Sequence, residues 1–472
     1  MNDYINLCKV FISKRESLLI APAGCGKTYT IAECLRYTEG LHLILTHTHA
    51  GVASLKEKIK GKGIATNKYR IETIDSYAQK YVNAFYCKND IPEQGNNEDY
   101  FPFIIEKAGK LVKIRPISDI IKLTYAGLFV DEYQDCTKTQ HKFIMALSEI
   151  LPTHVLGDPL QGIFGFREQL VDFDKDLKDF EQFKLEEPWR WKRTNLELGK
   201  CLMEIRKKLQ KKEGINLNTF NHAIEFVNIN GEDLFGRTIY NKKIWKLCDE
   251  NNLLIIHPES ENINVRKKII KAFNNRLHLV EAIDGKDFYK FSKNFDNSIP
   301  DSIYRTIHDF ICKIFNKSEI KKWFNKSALI NKRNEEDRKI IEPIRKNLEK
   351  LQNNGLFILC ANILKQIENL PKIMCYRKEL FYDICKALEE AGYNGISVYE
   401  AMKKIKNRKR RMGRGIKGKC IGTTLLIKGL EFDTVAVLDA HKFKDPKNLY
   451  VALTRSSRKL IVFSNNAVLS PF

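Results

Sequence analysis

Three clusters in this sequence combine residue types in an order that nucleotide chemistry requires. The first is Ala21-Pro22-Ala23-Gly24-Cys25-Gly26-Lys27-Thr28, where the apolar run Leu18-Leu19-Ile20 breaks into a small-residue loop. Such a loop lets successive backbone N–H groups face one concavity, and a helix beginning near Lys27 adds its positive dipole end to that anion site. Lys27 is placed to reach the outer phosphates and the Thr28 hydroxyl to hold Mg²⁺. Ala21 stands where the pattern ordinarily has a first glycine, and as the next smallest residue it preserves the loop. The second cluster, Asp131-Glu132-Tyr133-Gln134-Asp135, follows the apolar Leu128-Phe129-Val130. Asp131 would join the Mg²⁺ shell, and Glu132 would orient and deprotonate an attacking water. In the third, Gly157 to Gln161, Gln161 is placed to sense a γ-phosphate, and the chain then runs through Phe164 and Phe166 to Arg167. Aromatics beside cations suit the stacking of unpaired bases, although the same residues also suit a core.

Short apolar runs separated by helical spacings position these clusters, the pattern of an α/β fold. Leu41–Leu45 reads as a second strand, with Thr46-His47-Thr48-His49 at its carboxyl end. Ligands of open α/β sheets bind outside that end, so Thr46, His47 and Thr48 are expected at a contact surface. Ile71–Ala78 reads as a strand end turning into a helix through Asp75 and Ser76, both good N-cap types. Residues 79–120 interrupt the rhythm and read as a small helical insertion. In the second half, Leu253–His257, Thr434–Ala440 and Leu460–Ser464 read as strands. Between them, residues 284–418 carry helical spacings: Ile303, Ile307, Phe310 and Ile314, then Ile363, Ile367 and Leu370, then Leu380, Ile384 and Leu388.

With 472 residues, of which 43% are hydrophobic, the chain has material for several domains. Its 80 Lys and Arg against 58 Asp and Glu give a net charge of +22, which favours a polyanionic partner such as nucleic acid. The 12 cysteines form no Cys-x-x-Cys pair, which argues against zinc and against a disulfide framework. No run is long and apolar enough for a membrane span, and Met1–Glu16 lacks the apolar core of a signal peptide; a soluble, cytoplasmic protein is expected. Lys403–Lys419 is a cationic run with three glycines, suited either to gripping phosphates or to a solvated hinge. The acids Glu335, Glu336 and Asp337 sit among basic residues and read as a solvated face.

In their order along the chain, Ala21–Thr28, Thr46–His49, Thr73–Ala78, Asp131–Asp135 and Gly157–Arg167 resemble successive motifs of the UvrD/Rep/PcrA group of superfamily 1 helicases. Pro188-Trp189-Arg190-Trp191, Gly422–Phe432 and Tyr450–Arg455 resemble the later motifs of that group. The resemblance implies two RecA-like lobes, the first spanning 1–184 with its insertion at 79–120, the second spanning 185–283 and 419–472 with a reduced insertion at 284–418. It also implies ATP between the lobes and single-stranded or tailed duplex DNA across them. By the same resemblance, Arg190 and Arg455 are arginine fingers and Arg167 is a further γ-phosphate contact. Trp189 stacks on the adenine, Gly429 and Glu431 meet the nucleotide with Glu431 at the ribose, and Phe164 and Phe166 stack on bases. His47 replaces a base-stacking phenylalanine, and no glutamine precedes Gln79 to read the adenine edge, which leaves the choice between ATP and GTP open.

The resemblance implies an ATP-driven translocase or helicase of 3′-to-5′ polarity. The compact chain is also similar to the helicase-like subunit of Gabija anti-phage defence systems, which implies a partner nuclease and a regulatory, DNA-sensing role. A stand-alone repair helicase is the alternative.

Overall fold

The computed structural model describes the chain apart from residues 1, 95, 166–167, 259–262, 275, 282–284, 299, 354–356 and 413–417. Phe166 and Arg167 therefore lie outside the described residues. Contacts divide the chain into two units: one comprises 1–92, 98–266 and 410–472, the other 93–97 and 267–409.

The first unit holds two parallel sheets, the α/β architecture with two RecA-like lobes expected from the sequence. In the amino-terminal lobe, α1 (Asn2–Ser13) precedes β1 (Glu16–Ile20), and α2 (Lys27–Cys34), β2 (His42–Thr46), α3 (His49–Gly61) and β3 (Tyr69–Thr73) follow. Then come α4 (Ile74–Phe85), α5 (Asn97–Leu111), α6 (Arg115–Thr124), β4 (Gly127–Asp131), α7 (Lys138–Ser148), β5 (Thr153–Gly157) and β6 (Glu181–Lys184). The strands lie in the order β3-β2-β4-β5-β1-β6, and their pairings are parallel. β2, β4 and β5 are buried along their whole length, as strands covered on both faces by helices must be. Because the strands run the same way, the loops after β1, β2, β4 and β5 emerge at one edge, and these loops carry the three clusters.

Strands Lys419–Gly422, Leu253–Ile256, Phe432–Val437, Ser456–Ser464 and Ile224–Asn228 lie side by side in that order in the second lobe, again parallel. Phe432 and Ser456 are register partners at the amino end of this sheet. The residues just before them, Glu431 and Arg455, are thereby brought together.

Several local expectations need correction. The N-cap of α4 is Thr73, whose hydroxyl accepts from the Ser76 N–H; Asp75 lies inside the first turn and accepts from the Gln140 side chain. β6 was not legible because Glu181-Gln-Phe-Lys carries one apolar residue; it is placed by pairing with β1. Leu185, just after it, still donates to the Ile20 carbonyl and packs in the first lobe's core. Helices α4, α5 and α6 share one core with β2 and β4 through Tyr77, Ile104, Ala108 and Ile121.

The second unit is helical. Its core combines Ile303, Ile307, Phe310, Ile363, Ile367, Leu380, Ile384 and Leu388, at the helical spacings anticipated from the sequence, with Phe288 and Phe295, which were not anticipated. The described amino-terminal part of the cationic run is helical. Residues 403–412 continue the helix Val398–Met412, and Lys406 is buried against Asp383 at 2.8 Å with its ammonium 3.0 Å from the Phe288 ring centre. It therefore serves a core, while residues 413–417 lie outside the described set. Glu335, Glu336 and Asp337 occupy the first turn of the helix Glu335–Asn353, where the positive end of the helix dipole favours acids.

A buried histidine makes the first lobe acid-sensitive. His154 on β5 is enclosed by Phe11 and Phe129 and hydrogen-bonded to the Ser17 hydroxyl, and burial pushes its pKa down to about 3. The unfolded chain takes up this proton near pH 6.5 and the folded chain does not. Stability should therefore fall as pH drops below 6.5, by about 1.4 kcal/mol per unit until the folded pKa is reached. Urea midpoints of the wild type and His154→Gln at pH 7.5, 6 and 5 check this; equal slopes in both proteins would remove His154 as the cause.

Candidate nucleotide site

The loop after β1 is shaped by two glycines in the left-handed region, Gly24 at φ 73° and Gly26 at φ 94°. At Gly24 a Cβ would also lie 2.4 Å from the ring of Trp191, so a side chain there is excluded twice. Trp191 is fully buried and its indole N–H donates to the Ser456 carbonyl. The Arg190 N–H donates to the Gly24 carbonyl, and the Tyr450 hydroxyl accepts from the Ala23 N–H. The second lobe thus braces the phosphate loop, a role the sequence did not announce for Trp191 or Tyr450. Ala21 and Cys25 are buried beneath the loop, and burial pushes the Cys25 thiol up to about 12, which leaves it unreactive.

Lys27 opens α2 with its ammonium 3.2 Å from the Ala21 carbonyl and 3.9 Å from Glu132. The Thr28 hydroxyl lies 3.5 Å from Asp131. Glu132 takes φ 56°, an uncommon conformation for a side-chain-bearing residue. Its carboxylate accepts from the Gln134 amide at 2.5 Å. Burial raises the Asp131 pKa, and neighbouring Glu132 raises it further. Burial would raise Glu132 too, but the Lys27 and Lys428 ammoniums outweigh it and keep that carboxylate ionised. Their surroundings thus push the two adjacent acids in opposite directions.

From the second lobe, Arg190 donates to Glu431 at 2.5 Å and to the Thr454 carbonyl, while its Nε is buried without a hydrogen-bond partner among the described residues. Glu431 is also 3.5 Å from Lys58 of α3. Arg455 is buried and bonded to the carbonyls of Val451 and Leu430, and burial together with the Arg190 charge lowers its pKa to about 10. Trp189 remains 42% exposed, with Lys192 4.2 Å from its ring centre and Tyr4 of α1 packed 6.2 Å away.

These residues share one cavity of about 1330 Å³. Its lining includes Pro22, Ala23, Gly24, Gly26, Lys27, Thr28, Asp131, Glu132 and Gln161 of the first lobe, and Trp189, Arg190, Gly429, Glu431 and Arg455 of the second. Asp3 and Tyr4 line it as well, so the amino-terminal helix reaches the cavity. A hydroxyl beside a carboxylate is a hard-oxygen pair of the kind Mg²⁺ takes, and the orphaned Arg190 Nε suits an anionic ligand. The residues present therefore fit Mg²⁺ and a nucleoside triphosphate.

Gln161 donates to Asp158 at 3.0 Å, and Asp158 accepts from Arg206 at 2.8 Å. Arg206 had no signal in the sequence. At the carboxyl end of β2, the His47 and Phe164 rings stand 4.9 Å apart and Phe164 is half-buried. Thr46 is fully buried with its hydroxyl unpartnered among the described residues, and Thr48 caps α3 by accepting from the Gly51 N–H.

Residues 7–167 match the family model described as AAA domain. Over 147 residues the chain is 29% identical to an ATP-dependent helicase/nuclease subunit of Lactococcus lactis subsp. lactis (strain IL1403), a match covering 28% of this chain and 12% of that relative. The chain thus spans about an eighth of the relative's length. Among solved structures it is similar to an Arterivirus nonstructural protein 10 (helicase) with DNA, at 10% identity and TM-score 0.34, over 95% of this chain and 60% of that one. A crystal structure of the same helicase matches at 9% identity and TM-score 0.34, over 95% and 59%. Among the described residues, no helix is long and apolar enough to cross a membrane.

Proposed function

We propose that this chain is an ATP-driven DNA translocase or helicase of the UvrD type, moving 3′-to-5′ on single-stranded DNA. The observation that carries the reading is the shared cavity. A phosphate loop and two acids from one lobe meet an aromatic platform, a carboxylate and two arginines from the other. Residues from both lobes around one nucleotide make hydrolysis and lobe movement the same event.

In this reading Lys27 takes charge from the outer phosphates, and the ionised Glu132 accepts a proton from the attacking water. Mg²⁺, held by Thr28 and Asp131, would neutralise charge on the phosphate oxygens. Arg190 exchanges its partner Glu431 for the γ-phosphate, and Glu431 becomes available to the ribose. Arg455, already desolvated, has little solvent to shed as it joins. Trp189 stacks on the base. Arg167, as a further γ-phosphate contact, and Phe166, as a stacking residue beside Phe164 and His47, remain part of the proposal.

ATP turnover should rise on adding single-stranded DNA. The log of DNA affinity should fall with log salt at a slope of about −0.7 per neutralised phosphate, near −2 for three contacts. Turnover unaffected by DNA, or a flat salt profile, would overturn the reading.

A second reading, a DNA-sensing ATPase that governs a partner nuclease of the Gabija kind, is favoured by small insertions. The first lobe adds only the helices Asn97–Leu111 and Arg115–Thr124 between α4 and β4 among the described residues. That is little scaffold for splitting a duplex. Displacement of 3′- and 5′-tailed duplexes by the chain alone separates the two readings.

A further inference from the structure

Among the described residues lining the shared cavity, each charged side chain has an ion-pair or hydrogen-bond partner except two, Asp3 and Arg193. Their chain neighbours place both at the Trp189 end of the cavity. Asp3 precedes Tyr4, whose hydroxyl is 2.9 Å from that of Thr30 on α2 and whose ring packs 6.2 Å from the Trp189 ring. The amino end of α1 is thereby held against Trp189. Arg193 follows Trp189 within the same turn, ahead of the helix Leu196–Gln210. An unpaired carboxylate and an unpaired guanidinium thus face the space above one aromatic platform.

A base stacked on Trp189 turns its hydrogen-bonding edge toward the cavity wall. Guanine's edge carries the O6 acceptor followed by two adjacent donors, N1–H and the 2-amino group; adenine's carries the 6-amino donor followed by the N1 acceptor. A carboxylate only accepts and a guanidinium only donates. The pair can meet either edge, but guanine offers the carboxylate two donors side by side where adenine offers one. The two-pronged match is the stronger.

We propose that Asp3 is a specificity-determining residue that admits guanine, so that GTP serves this site at least as well as ATP. This rests on the translocase reading above, with Trp189 beneath the base, and it names the bases that site takes. Arg193 supplies a donor to O6 of guanine or to N1 of adenine, and so helps both nucleotides.

The test is steady-state kcat/KM for ATP, GTP and ITP, with an oligodeoxythymidylate present, in the unaltered chain, Asp3→Ala and Asp3→Asn. Asp3 is exposed, so neither change disturbs the core. The unaltered chain should use GTP at least as well as ATP, and ITP less well than GTP, because inosine keeps N1–H and O6 but lacks the 2-amino group. Asp3→Ala should lower the ratio of GTP to ATP by about threefold or more. Asp3→Asn should lower it further, because a carboxamide offers one acceptor and one donor and so matches the 6-amino group and N1 of adenine. A carboxylate that merely complements the α1 dipole would change the rates with both nucleotides by one factor and leave the ratio alone. GTP poorer than ATP in the unaltered chain, ITP as good as GTP, or a smaller fall of the ratio in either variant would overturn the assignment. If none of the three nucleotides is hydrolysed, the translocase reading falls; if ATP is hydrolysed and GTP is the poorer substrate, only the guanine inference falls.

Discussion

Glu132→Gln should lower ATP turnover by about 10²- to 10⁴-fold while leaving nucleotide affinity nearly unchanged, the range expected for loss of a general base. The carboxylate is kept ionised by the Lys27 and Lys428 ammoniums and oriented by the Gln134 amide. Glutamine preserves the shape and a hydrogen-bonding oxygen but cannot accept the proton of water. Lys27→Ala should lose binding as well as turnover, since its ammonium opens α2 beside the Ala21 carbonyl, at the mouth of the phosphate loop. Titration with a fluorescent ATP analogue, followed by single-turnover hydrolysis, distinguishes the two outcomes. Near wild-type turnover in either variant would sink the assignment.

In the helical unit, Asp383→Ala should destabilise by about 3–5 kcal/mol, the cost of leaving a buried charge without its partner. Asp383 is buried between Lys406 at 2.8 Å and Lys409 at 2.6 Å, and Lys406 is itself buried on the Phe288 ring. Once the carboxylate is gone, the ammonium loses the counter-charge that compensates for its lost water. Replacing both members, Asp383→Leu with Lys406→Met, should recover most of the loss, because an apolar pair of similar volume needs no desolvation. A chain of two units need not unfold in one step, so hydrogen exchange in the helix Lys378–Asn394 is the measurement of choice. Unchanged protection in Asp383→Ala would show that the carboxylate is not what holds Lys406 in the core.

Much of the first lobe was legible because its signals are short in range. The apolar Leu18–Ile20 and Leu128–Val130 needed only parallel neighbours on both sides, and the small residues of 21–28 announce a loop whatever surrounds it. The helical spacings at 303–314 and 380–388 likewise became core. Where local signals competed, reading failed. Thr73, Asp75 and Ser76 are all capping types, and the end of β3, set by pairing with β2, decided that Thr73 takes the role. Lys406 lies in a run of cations that reads as a phosphate grip or a solvated hinge, and the partner that makes it a core residue is 23 positions away.

The sequence by itself determined the chemical inventory: a phosphate loop, two acids, an aromatic platform and the arginines, in an order that resembles one helicase group. That inventory is local, because each cluster's backbone preferences and side-chain types lie within a few residues. Only the tertiary structure decided which charges face each other. Arg190 with Glu431, Arg206 with Asp158 and Lys428 with Asp135 are joined across 241, 48 and 293 positions. Such pairs leave no periodicity to read. They exist because segments far apart in the chain pack together in the fold, where a charge removed from water must find its opposite.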